Sequence, residues 1–312
     1  MKIVVSGQSV PLRLAEYCRR RGITVDHVDA PITQQELCRR VRDADHYLLG
    51  GDERLSRTVL ESAPSLRCIS FAGTGAGSFI DLDAARDTGV RILTTPGVNG
   101  VAVAEFALAL AAGMMRRALP DLYDRKQPSR NSTELTRATV GILGLGATGA
   151  ALAGMLVRGF SCQVLYHSRT RKEHHEKALA LTHTGLTELF TRSTTVFVCC
   201  SLNEETTNLV DDRLLGTGPT PRYLVSTADP RVIDPDALRR ALETGALTGA
   251  ALDGYHQEPL PDPADDPHGL LRLHGTSLFV TSHIAASSAT SWSRMENAAV
   301  DNLLAVLDEE AP

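Results

Sequence analysis

The chain has 312 residues, 43% of them apolar and 22% charged, enough for one large or two ordinary domains that bury their own cores. A formal net charge of −5 offers no basic excess, so nucleic acid is excluded as an obligatory partner. No run reaches the roughly 18 apolar residues of a membrane helix; the longest candidate, Val101 to Met115, is interrupted by Glu105.

The six cysteines form no CxxC pair and no metal-type spacing, and several sit in apolar runs. With no apolar leader after Met1, a cytoplasmic protein with reduced thiols and no bound metal is expected. Along the chain, short apolar runs alternate with helical patterns, which predicts an α/β protein with parallel sheets. Lys2 to Gly7 reads as a strand and Pro11 to Arg21 as a helix. Tyr47 to Gly50, Leu66 to Phe71 and Arg91 to Thr94 read as further strands, with a short helix from Leu82 to Thr88. After Thr95, Pro96 and Gly97 a long helix runs from about Val101 to Arg117, and the polar stretch Leu119 to Arg137 reads as a connection. A second series of strands follows at Ala138–Leu143, Phe160–Tyr166, Thr194–Cys200, Arg222–Thr227, Leu247–Leu252 and Leu278–Thr281. Pro259 to His274 reads as a loop, and an amphipathic helix, Ser291 to Leu307, closes the chain.

The sharpest local signal is a strand from Thr139 running into Gly144, Gly146 and Gly149, a G-x-G-x-x-G that opens a small-residue helix. The first glycine permits the turn, the second lets a pyrophosphate approach, and the third lets helix pack on strand. Amides of Ala147, Thr148 and Gly149 at the helix start would hold the phosphates. The loop at Gly73, Gly75 and Gly77 lacks that spacing.

A site for NAD usually has an acidic residue at the end of the second strand to bind the ribose 2′-hydroxyl. Here that strand ends in His167, Ser168, Arg169, Thr170, Arg171 and Lys172, two hydroxyls and three cations without a carboxylate. Those groups suit a 2′-phosphate, so NADP(H) is favoured, with NAD(H) and a merely solvated basic turn left open. His174 and His175, at a charged helix start, read as solvent-facing.

Several motifs in order extend the argument. Ala72 to Gly75 precedes Ile80 to Ala85; Thr95 to Val98 precedes Val103 to Glu105; Ser201 to Thr206 follows. Ala250 to Asp253 leads to Glu258, Pro259 and Leu260, and Val280 to Ala286 contains His283. Over almost its whole length the chain resembles the D-2-hydroxyacid dehydrogenases. The resemblance implies a Rossmann cofactor domain, residues 99–285, inserted in a flavodoxin-like substrate domain, residues 1–98 with 286–312. It implies an active site in the cleft, a small-molecule substrate and a homodimer. By the same resemblance His283 is the acid/base and Glu258 its partner. Asp253 meets the nicotinamide carboxamide; Ser201, Thr227 and Ala228 line the cofactor; Gly73, Thr74 and Gly75 form the substrate loop. A carboxylate beside the histidine agrees with that role, because it favours the imidazolium that must return a proton to the substrate oxygen. His256 reads as a bystander.

One departure stands out. The family's N-T-A-R-G motif carries a substrate-binding arginine, and here that position falls on Asp229, with Pro230 and Arg231 after it. The substrate loop also reads one residue longer than the pattern. Three readings follow: a substrate that lacks the carboxylate or carries a cation for Asp229, Arg231 turning into the vacancy, or a weak or inactive member kept as a cofactor-binding sensor or scaffold.

Overall fold

A computed structural model describes residues 1–28, 31–118, 132–219 and 222–310. The expected connection from Leu119 to Arg137 therefore lies outside the described residues over 119–131. Two compact units form, one from Met1–Asn99 with Ser288–Pro312, the other from Gly100–Ser287.

The first unit holds a five-stranded parallel sheet of β1 (Lys2–Ser6), β2 (Thr24–Val28), β3 (His46–Leu49), β4 (Cys68–Phe71) and β5 (Arg91–Leu93), ordered β2-β1-β3-β4-β5. That is the flavodoxin-like order. Its strands β3 and β4 are buried throughout because helices cover both faces of a parallel sheet. The C-terminal helix, Ala289–Glu309, is capped by Ser288, whose Oγ accepts from the Ser291 amide at 3.1 Å. It buries Met295, Ala299, Val300, Leu303, Val306 and Leu307, an i, i+3/i+4 stripe, and Ser70 Oγ donates to the Ala299 carbonyl at 2.7 Å.

The second unit holds seven parallel strands: β6 (Thr139–Leu143), β7 (Gln163–His167), β8 (Thr182–His183), β9 (Thr195–Val198), β10 (Tyr223–Ser226), β11 (Gly249–Asp253) and β12 (Leu278–Thr281). Their order is β8-β7-β6-β9-β10-β11-β12, the Rossmann arrangement with one added strand. The order reverses between β6 and β9, and ligands of such sheets bind beyond the strand C-termini at that reversal. The helix Gly100–Met115 is a core helix of this unit, with Ala104, Ala107 and Ala111 packed in one cluster with Leu152, Ala153 and Leu156. Its small residues permit close approach: a Cβ on Gly100 would lie 3.0 Å from the Ala147 backbone.

Strands β2 and β8, both edge strands, are absent from the sequence expectations. The former has only Val25 and Val28 as apolar residues, and the latter is two exposed residues long.

Candidate active site

The glycine loop joins β6 to the helix Ala147–Phe160. Gly144 has φ +97°, and a Cβ there would come within 2.6 Å of the Cys200 backbone. A Cβ on Gly149 would meet the Gly144 carbonyl oxygen at 2.1 Å, so helix and strand touch only because the side chain is missing. At Gly146 nothing lies within 4 Å of the Cβ position. Space is therefore left at the middle glycine, where first-turn amides have no intrahelical acceptor and the helix dipole favours an anion. These residues fit the pyrophosphate of a dinucleotide.

At the end of β7, His167 Nδ1 lies 2.9 Å from the Thr184 carbonyl, and Ser168 Oγ donates to the Thr170 carbonyl at 2.7 Å. The cations of this turn are not equally placed. Arg171 donates from Nε and Nη2 to Glu176 at 2.9 and 2.8 Å, and Tyr166 donates to the same carboxylate at 2.5 Å. Those hydrogen bonds, Arg171 first, hold the Glu176 carboxyl down at about 2. Arg169 is 80% exposed, with only a 3.8 Å ion pair to Glu205. Ser201, beyond β9, is exposed and its carbonyl accepts from Thr206 Oγ1 at 2.8 Å.

Beyond β10, Thr227 and Ala228 lead into Asp229, which caps the 3-10 turn Pro230–Val232. Asp229 Oδ1 accepts from the Arg231 amide at 3.0 Å and from Arg231 Nε at 2.9 Å, while Oδ2 accepts from Nη2 at 2.8 Å. Burial alone pushes this carboxyl up, but the Arg231 hydrogen bonds outweigh it and leave it below the ordinary value. The Asp229 carboxylate is thus paired, and Arg231 is the residue it holds.

Asp253 ends β11 and is 5% exposed. After β12 the chain turns back, and His283 Nδ1 stands 3.5 Å from both oxygens of Glu258. Nδ1 is thus the ring nitrogen that faces Glu258. Gly254, with φ +102°, is the residue that sequence reasoning missed: a Cβ there would lie 3.1 Å from Glu258 Oε1, 3.6 Å from Pro230 and 3.8 Å from His283. One glycine therefore gathers Glu258, His283 and the Asp229 turn. A glycine directly after a strand-ending aspartate was the available signal. His256, two residues on, is held neutral, its pKa lowered to about 4 by burial and then by the charge of His268. Among the described residues no group of three or more His, Cys, Asp or Glu could hold a metal, and no helix is long and apolar enough to cross a membrane.

Residues 106–285 match the sequence profile of the D-isomer specific 2-hydroxyacid dehydrogenase NAD-binding domain. The chain belongs to the D-isomer specific 2-hydroxyacid dehydrogenase family. It is 32% identical to a glyoxylate reductase of Korarchaeum cryptofilum, over 91% of this chain and 86% of that protein. It is 29% identical to glyoxylate/hydroxypyruvate reductase B of Yersinia pestis, covering 97% and 94% of the two chains. The TT0316 protein of Thermus thermophilus superimposes with a TM-score of 0.81 at 31% identity, covering 100% of this chain and 98% of that one. As a member of this family the protein is an oxidoreductase acting on CH–OH and C=O groups with a nicotinamide cofactor. In the first unit, Gly73, Thr74 and Gly75 follow β4 at the C-terminal edge of that sheet, with the Gly73 carbonyl accepting from the Thr95 amide at 2.8 Å.

Proposed function

We propose that the protein is an NADPH-preferring reductase of a small carbonyl compound, or the reverse dehydrogenase, that does not rely on the family's arginine to grip a substrate carboxylate. Residues 99–285 are its cofactor domain, and residues 1–98 with 286–312 its substrate domain. The observation that carries this reading is the clasp of Arg231 on Asp229 beside the His283–Glu258 pair. A bidentate pair neutralises the aspartate, so it neither strongly repels an anion nor waits for a cation. Of the three sequence readings, this favours a substrate recognised mainly through its carbonyl and hydroxyl groups. The relatives named for reducing glyoxylate or hydroxypyruvate support a similarly small molecule.

When bound, the nicotinamide supplies or accepts the hydride. His283 Nε2 then gives a proton to the substrate oxygen as negative charge develops there, or takes one in the reverse direction. Glu258, on the Nδ1 side, fixes the ring and stabilises the imidazolium. Ser168, Thr170, Arg169 and His167 would receive the 2′-phosphate, and Thr227, Ala228 and Ser201 would line the remainder of the cofactor. The intact His283–Glu258 pair argues against the sensor reading. We read the working form as a cytoplasmic homodimer, which light scattering checks as a species of twice the chain mass.

The test follows NADPH and NADH consumption against 2-oxo acids, matched aldehydes and amino-bearing carbonyls, with Asp229→Arg alongside. The expected result is turnover of an aldehyde or hydroxycarbonyl with NADPH, and a shift toward 2-oxo acids in Asp229→Arg. A wild type that prefers 2-oxo acids by orders of magnitude overturns the substrate reading. Silence across the panel with NADPH binding intact makes the protein a sensor.

A further inference from the structure

The carboxylate of Asp253 gathers three donors from one short segment. Oδ1 accepts from Thr281 Oγ1 at 2.6 Å and from the Ile284 amide at 2.8 Å, and Oδ2 accepts from the Ala285 amide at 2.8 Å. These donors flank His283 on both sides. Between them the chain folds tightly, the His283 amide donating to the Thr281 carbonyl at 3.0 Å, and His283 takes φ 56°. A non-glycine residue in that left-handed region is strained and persists only where its surroundings over-determine it. Asp253, buried at the end of β11 beside β12, holds this segment on both sides of His283.

We propose that Asp253 is a positioning residue for His283, holding the Thr281–Ala285 turn in the conformation that sets the imidazole against Glu258. The proposal rests on the acid–base reading of His283. It is distinct from the carboxamide contact that the family resemblance implies, and compatible with it, because an ionised carboxylate offers about four acceptor positions. Hydrogen bonds to a charged acceptor are roughly twice as strong as neutral ones. Asparagine at 253 keeps the size but loses the charge, and must turn an N–H₂ toward donors that already point inward.

Thr281→Val decides the matter, since it removes one donor and touches neither cofactor nor proton transfer in the reading above. In cofactor-free protein, the NMR titration of the His283 imidazole should move in both Thr281→Val and Asp253→Asn, in the same direction, with the circular dichroism spectrum unchanged. The pH profile of kcat should move with it. Displacing a reacting group by about 1 Å can cost about 100-fold, so kcat should fall by about that much in Asp253→Asn and by about tenfold in Thr281→Val. A His283 titration in Thr281→Val that superimposes on wild type overturns the proposal, and so does a lowered Tm in both variants with the titration unmoved. If Asp253→Asn fails to fold, Thr281→Val still decides. Full turnover by His283→Gln sinks the acid–base reading instead, while the titration, which needs no activity, still judges the positioning claim.

Discussion

Arg231 folds back onto Asp229, two residues earlier, and bonds both carboxylate oxygens at 2.9 and 2.8 Å. The Asp229 side chain is 22% exposed and that of Arg231 60%, so the anion is the sequestered partner and the cation the dispensable one. Removing the cation leaves a half-buried carboxylate facing the site.

Arg231→Ala should therefore act as a charge filter. Discounting for the exposure of the guanidinium, the lost hydrogen bonds correspond to about tenfold in rate. The kcat/KM for a 2-oxo acid should fall by about that factor, and that for the matched aldehyde by no more than about twofold. Equal losses on both substrates would show that the clasp only supports the turn.

The glycine loop separates folding from binding. Gly149→Ala drives a Cβ onto the Gly144 carbonyl oxygen, where no side chain can yield, and overpacking of this kind costs about 1–3 kcal/mol. Its Tm should drop by about 2–10 °C. Gly146 has φ −82° and ψ −159°, open to any residue, and no neighbour within 4 Å of its Cβ position. Gly146→Ala should keep the wild-type Tm and yet lose cofactor affinity, by about tenfold or more. Differential scanning fluorimetry with and without NADPH reads both quantities; a Gly146→Ala protein that binds normally removes the loop from the phosphate site.

How far the sequence spoke depends on how local each feature is. The loop at Gly144, Gly146 and Gly149 was legible because a single turn needs those glycines at that spacing. The acid/base candidates His283 and Glu258 were legible only through the order of motifs. The partner of Arg231 was not legible because Pro230 opens a 3-10 turn that brings residue i+2 back to i. Glu176 was overlooked because its claim on Arg171 exists only once the helix Glu173–Leu179 begins. The donors on Asp253 come from 28 to 32 residues downstream, and only the pairing of β11 with β12 brings them there.

Cofactor choice should turn on one arginine. Arg169, beyond the end of β7, is 80% exposed and not clasped by Glu176, so Arg169→Ala should raise the Kd for NADPH by about tenfold or more and leave NADH within about twofold. Glu176→Gln should do the opposite. Released from its carboxylate, Arg171 becomes a second donor for the 2′-phosphate, and NADPH should bind about two- to fivefold more tightly. Fluorescence titration with both nucleotides checks the pair, and equal changes for NADPH and NADH in Arg169→Ala would remove the 2′-phosphate from this turn.

Glu176 also gives the fold an acid-sensitive element. Arg171 and Tyr166 hold its carboxyl at about 2, below the ordinary 4.5, so the ionised form favours the folded chain. A depressed folded-state pKa contributes stability that is complete above the unfolded value and fades as pH falls through the folded one. That contribution is therefore whole at neutral pH and disappears between about 4.5 and about 2. Glu176→Gln has nothing to lose over that interval. Its Tm should lie below wild type at pH 7, and the two curves should converge as the medium is acidified, whatever the other carboxylates do to both proteins alike. Superimposed curves from pH 7 to pH 2 would mean that the Arg171–Glu176–Tyr166 contacts add nothing net to stability, because solvent screening around the exposed Arg171 cancels them.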